Sequence, residues 1–156
     1  MRGTIVCGVT DSDEGHAALE RGVELSQRLG LRLVLAHVAE GFAPLDGHGE
    51  DNESVTTKGS RRGGEVLLAR LAREHGVIDT AELRVAVGEA APLVGQIAAE
   101  EAADVIVVGS RARRWPGSGI QSKLAEGLES ETSVPILIAP PASGRRGKAA
   151  GAIAAR

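Results

Sequence analysis

Apolar runs and stretches of helical period alternate along the chain, and two of the runs have no polar face. Thr4 to Val9 reads TIVCGV, and Val105-Ile106-Val107-Val108 is an unbroken β-branched run. Such runs suit parallel strands covered on both sides, in the middle of a sheet. After the first, Thr10-Asp11-Ser12-Asp13 offers turn formers and helix N-caps. Roughly Gly15 to Leu29 then places Leu19, Val23 and Ser26 on one stripe, with Ala18, Gly22, Leu25 and Leu29 beside it. That spacing is helical, and Gly30 supplies a left-handed stop. Leu31 to Val38, LRLVLAHV, predicts the second strand.

Ala39 to about Lys58 shows neither period and is rich in Gly, Asp, Glu, Asn, Ser and Thr. It is expected to be a mobile loop, since long loops in compact domains are lids or disordered. A second helix is predicted from about Ser60 to His75, with Val66, Leu67, Leu71 and Ala72 toward the core and Gly76 ending it. Thr80 to Val87 alternates apolar Ala81, Leu83, Val85 and Val87 with Glu82, Arg84 and Ala86, the pattern of an edge strand. Pro92 opens a helix reaching about Ala102, with Leu93, Ile97 and Ala98 inward. After the fourth strand come a Gly- and Arg-rich loop, a short helix from about Ile120 to Glu131, and a last apolar run, Val134 to Ala139.

The order is β-α-β-α-β-α-β-α-β. Right-handed crossovers make this a single-domain α/β protein, an open doubly wound five-stranded parallel sheet with helices on both faces. With the alternating strand at an edge, the strand order 3-2-1-4-5 fits best. Residues 1–139 form the domain, and residues 140–156 are expected to be a disordered basic tail. Strands one and four are then central neighbours, so Thr10, Asp11 and Ser12 face Gly109 and the loop after it across a crevice. A strand, a Gly-rich loop and a helix in that order suit phosphate binding.

Composition narrows the function. With one Trp, one Phe and no Tyr in 156 residues, the core must be aliphatic, and the scarcity argues against base stacking on aromatic platforms. Net charge is -3, and the tail's Arg145, Arg146, Lys148 and Arg156 have no acid among them, so the body is more acidic still. An acidic body is a poor binder of nucleic acid or membrane. No apolar run approaches the ~18 residues of a membrane span, and no signal-peptide pattern opens the chain, so a cytoplasmic protein is expected. The single Cys7 sits in an apolar run and reads as a buried hydrophobe.

Arg111, Arg113, Arg114 and Lys123 concentrate charge around the loop after the fourth strand, either as a solvated basic loop or as a polyphosphate clamp. Gly117 to Ser122 and Gly117 to Leu124 nearly match two phosphate-binding patterns, but neither follows a strand directly, as each mechanism requires. His16, His37, His48 and His75 lack metal-ligand spacing. No Ser-His-Asp or Cys-His arrangement follows from spacing, so no metal and no enzyme activity is expected.

The sequence resembles the universal stress protein family over essentially the whole ordered chain. IVCGVTDSDEGHAALERGVELSQRLGLRLVLAHV looks like that family's first strand, helix and second strand. VGEAAPLVGQIAAEEAADVIVVGSR resembles its third helix and fourth strand, and SKLAEGLESETSVPILIAP its closing helix and strand, including the Val134-Pro135 pair. The resemblance implies a 3-2-1-4-5 sheet, dimerisation and, in many members, an ATP site; it implies no catalytic reaction.

ATP-binding members carry G-x2-G-x9-G-[ST] after the fourth strand. Here its positions fall on Gly109, Ala112, Ser122 and Lys123, so three of the four depart. The Asp that usually ends strand one is replaced by Thr10, with Asp11 one residue later. The candidate nucleotide positions are therefore Thr10, Asp11, Ser12, Val38, Gly109, Arg111, Ala112, Ser122 and Lys123. A Cβ at Ala112 or Ser122 crowds a phosphate, whereas the Lys123 charge attracts one. Val134, Ile136 and Ile138, on an apolar strand at the sheet edge, are the expected homodimer interface. Two functions follow as expectations: a dimeric interaction module with a degenerate crevice and a protein partner, or an ATP-binding protein using the loop after strand four.

Overall fold

The computed structural model describes residues 3–40, 50–110 and 122–140, and of residues 50–57 the backbone alone. Its strands are β1 (Thr4–Gly8), β2 (Arg32–Ala39), β3 (Glu82–Val87), β4 (Val105–Gly109) and β5 (Ile136–Ala139). Its helices are α1 (Asp13–Leu29), α2 (Glu50–Glu74), α3 (Ala90–Glu100) and α4 (Lys123–Glu131). The five strands form one sheet in the order β3-β2-β1-β4-β5, every pairing parallel. The expected α/β architecture and strand order are therefore those of the protein.

The register explains the sequence pattern. Ile5 pairs with Leu33 on one side and Val105 on the other, and Val6 with Val34 and Ile106. Side chains alternate between faces, so each central strand feeds two cores. Ile5, Cys7, Leu33, Leu35 and Val107 pack with Leu19 of α1 and Leu68 and Leu71 of α2. Val6, Val34, Ile106 and Val108 pack on the other face with Val94, Ile97 and Ala98 of α3 and Leu128 of α4. All five residues of β1 are buried, whereas β3 at the edge is only half-buried, as its alternation requires.

Ser12 caps α1, its side chain accepting from the Gly15 N–H at 3.2 Å, with Asp13 and Glu14 favourably placed in the first turn. Gly30 ends the helix at φ 64°. The buried Cys7 thiol donates to the Ala18 carbonyl at 3.1 Å, and burial pushes it up from its ordinary value, so it is a packed hydrophobe rather than a nucleophile.

The helix predicted from Ser60 begins instead at Glu50, so residues 50–58 of the expected 39–58 loop are helical. From Lys58 to Gly63 this helix is mostly exposed, which is why it carries no apolar stripe there. Residues 41–49 of that loop, and the tail from 141, lie outside the described residues. Val66, expected toward the core, is on the surface at 65% exposure, while Leu68 takes the buried position on α2; Leu29, beside the stripe of α1, is 64% exposed. Val134 precedes β5 rather than lying on it.

Candidate functional site: a crevice between strands one and four

The carboxyl ends of β1 and β4 are neighbours at the centre of the sheet, and the connections from them run to opposite faces. That is the switch point at which open α/β sheets take ligands. Two close approaches assemble it. At the end of β4, a Cβ added to Gly109 would stand 2.0 Å from the Glu14 carbonyl oxygen, so the strand's end runs against the first turn of α1. At the end of β1, a Cβ on Gly8 would lie 3.3 Å from Cδ2 of Leu124, which brings the start of α4 over the strand. The positions Thr10–Ser12, Gly109 and Ser122–Lys123 are thereby gathered around one crevice.

Their polar groups are largely turned on one another. Thr10 Oγ1 and Ser12 Oγ are 2.7 Å apart, and Ser12 Oγ already caps α1. Asp11 accepts from Nη2 of Arg70 at 2.8 Å, with Nε2 of His16 3.8 Å from its other oxygen. The carboxylate that follows Thr10 is thus held by α2. Ser122 is buried and is the N-cap of α4, accepting from the Ala125 N–H at 3.2 Å. Lys123 is exposed at the first position of that helix, where an anion would offset its unfavourable placement beside the positive helix end.

Val38 lies near the end of β2 opposite Ala86, half-buried on the α3 and α4 face. Beyond β4, the buried Ser110 donates its hydroxyl to the Ala139 carbonyl at 2.7 Å, tying the loop's first residue to the end of β5. Arg111 and Ala112, with Arg113, Arg114 and the near-matching phosphate patterns from Gly117, fall outside the described residues.

The expected interface residues lie elsewhere, at the β5 edge. Ile136 and Val134 are half-buried against the α3 and α4 core, while Ile138 is 38% exposed. Leu137, not among the expected residues, is equally exposed on the opposite face.

Two groupings escaped sequence reasoning. Arg70 and His75 meet Asp11 and His16 across 59 positions of chain, a separation that no local pattern signals. At the amino end of the sheet, Arg32 bridges Glu82 and Glu101, and Arg84 bridges Glu100 and Glu101. Burial works against the Glu101 charge, but Arg32 and Arg84 together hold its carboxyl below the ordinary range. Glu100 is also lowered, by Arg84 and then by Gln96. Among the described residues, no group of three or more His, Cys, Asp and Glu side chains is arranged to hold a metal. No helix among them is long and apolar enough to cross a membrane.

Sheet order, two-faced core and crevice together define an open doubly wound α/β protein with a crevice at its switch point. The sequence profile of the universal stress protein family matches residues 1–140, and the chain belongs to that family. Universal stress protein UspA from Lactobacillus plantarum shares the fold with a TM-score of 0.68 at 15% identity, over 89% of this chain and 99% of that one. A universal stress protein crystallised in complex with cAMP aligns at 0.58 and 18% identity, over 90% and 98%. Another, from Archaeoglobus fulgidus in complex with dAMP, aligns at 0.54 and 18%, over 88% and 97%. At these identities the likeness is one of fold. No curated protein matches the sequence.

Proposed function

We propose that this chain is a stress-response protein of universal stress type that works in the cytoplasm as a non-catalytic, homodimeric interaction module, its crevice retained but not tuned for ATP. The observation that carries this reading is Ser122. At the motif position where a glycine would open the backbone to phosphate, a buried side chain caps α4 with its own hydroxyl. Thr10–Ser12 contacts and the Asp11–Arg70 pair likewise occupy groups that a ligand would need. Polar groups already hydrogen-bonded within the protein have less to gain from a ligand. Equilibrium dialysis of ATP against refolded, nucleotide-free protein tests the reading. Saturable binding in the low micromolar range would overturn it.

A second reading is binding of an adenine nucleotide. It is favoured by Lys123, exposed at the start of α4 beside the crevice, and by relatives solved with cAMP and dAMP. A single phosphate asks for fewer backbone donors than a triphosphate, so dialysis with both mono- and triphosphates separates the two cases. The triple variant Ala112→Gly, Ser122→Gly, Lys123→Ser restores the motif and should bind ATP more tightly than the parent by titration calorimetry. Weaker binding by the variant would make Lys123 a phosphate ligand and favour this second reading.

A further inference from the structure

Beside the crevice, an imidazole of α1 meets one just past the end of α2. His16 stands in the first turns of α1, and His75 directly follows α2. Nδ1 of His16 and Nε2 of His75 lie 3.3 Å apart. The ring centroids are 5.6 Å apart with the planes tilted by 36°. The centroid separation exceeds the nitrogen separation by about two ring radii, so the facing nitrogens point at each other along the line of centres. This is the geometry of a shared hydrogen, not of two lone pairs converging on a cation.

Counting hydrogens gives the pair its property. In the neutral pair one facing nitrogen carries the shared hydrogen, and the accepting ring carries its own on its outward nitrogen. One added proton goes to the donor ring's outward nitrogen and leaves the shared hydrogen in place. A second added proton has only the facing side left. Both facing nitrogens then carry hydrogen, and the contact becomes repulsive between two cations.

Charged groups surround the pair. Nε2 of His16 is 3.8 Å from Oδ1 of Asp11. Asp11 is fixed by Arg70 of α2, whose Nε reaches Oε1 of Glu74 at 4.0 Å. Glu20, Glu24 and Arg28 of α1 line a cavity of about 320 Å³ together with His75. Carboxylates and guanidinium groups are mixed here, and Glu24 is itself paired with Arg21 and Arg28. The mixed charge tempers repulsion within a doubly charged pair but supplies no hydrogen bond between its rings.

We propose that the His16–His75 contact is a proton-counting latch between α1 and the end of α2, closed with no added proton or one and open with two. Asp11 sits between Thr10 and Ser12 and is held from α2 by Arg70, so an open latch loosens the support of the crevice loop. The device works whether or not the crevice takes a nucleotide.

The test is ring-nitrogen NMR and amide exchange on the full chain, from about pH 8 down to about pH 5. The two rings should titrate in coupled steps. In His16→Ala or His75→Ala the remaining ring should titrate in a single step between them. The amides of His75, Gly76 and Val77, bonded to Leu71, Arg73 and Ala72, should lose protection tenfold or more in the second step. His16→Gln keeps a donor and an acceptor but adds no charge, so it should stay protected through the same range. Rings that titrate identically with and without each other overturn the latch. So does unchanged protection across the second step, or equal loss in His16→Gln.

Discussion

The hydroxyl of Ser122 accepts a hydrogen bond from the Ala125 N–H at 3.2 Å, closing the first turn of α4 from a buried position. A residue that stands where a phosphate-binding glycine would is therefore part of the scaffold. Ser122→Ala should cost about 1 kcal/mol, and more if burial leaves the amide wholly unpaired. Ser122→Gly, in which water can reach the amide, should cost only a few tenths. Urea unfolding of the three proteins should give that ranking.

Gly109→Ala should be the more damaging change. The added methyl meets backbone, the Glu14 carbonyl, which can move only if α1 moves. A loss of about 1–3 kcal/mol or more is expected from such overpacking. Gly63→Ala is the control, since nothing lies within 4 Å of a Cβ there and the site is on α2. It should stabilise by about 0.8–1 kcal/mol. Equal effects from the two in thermal unfolding would contradict the close approach.

Much of this architecture was legible, and the reasons are local. Val105 to Val108 is a strand buried on both faces and has no room for polar residues, so periodicity found it. Gly30 was found because a left-handed residue after an apolar stripe has few alternatives. The start of α2 at Glu50 was missed, and from Lys58 to Gly63 the exposed stretch imposes no period on its sequence. Of the site, position alone was legible. That Asp11 turns to Arg70, and that Ser122 is a cap, depend on partners brought up by folding.

The Glu101 carboxyl gives a pH signature. Its folded value lies below the ordinary carboxylate range, so its contribution is fully present above an unfolded value of about 4.3 and is lost as pH falls through the folded value. Glu101→Gln should therefore cost about 1–2 kcal/mol near neutrality, a figure discounted because Arg32 and Arg84 border on solvent. The deficit should shrink toward zero below about pH 4. A deficit unchanged between neutral and acid pH would assign the loss to packing instead.

The proposed homodimerisation through β5 is best probed at Leu137 and Ile138, whose side chains are exposed on opposite faces of an edge strand. Ile138→Lys should weaken self-association at least tenfold, about 1.4 kcal/mol, in analytical ultracentrifugation. Ile136→Lys would confound the result, because Ile136 also packs against the α3 and α4 core. A wild-type chain that sediments as a monomer at about micromolar concentration would remove the interface altogether.

Gly109 bears on how kinship in such chains is judged. Any chain that brings its fourth strand this close to the Glu14 carbonyl must leave that position bare, whatever its crevice holds. A motif score that weighs four positions equally would still credit this protein with one match out of four. The geometry strips that match of its information, since the fold would have demanded it from a chain that never met a nucleotide. The vote on ligand passes to the other three motif positions, of which Ser122 and Lys123 are among the described residues.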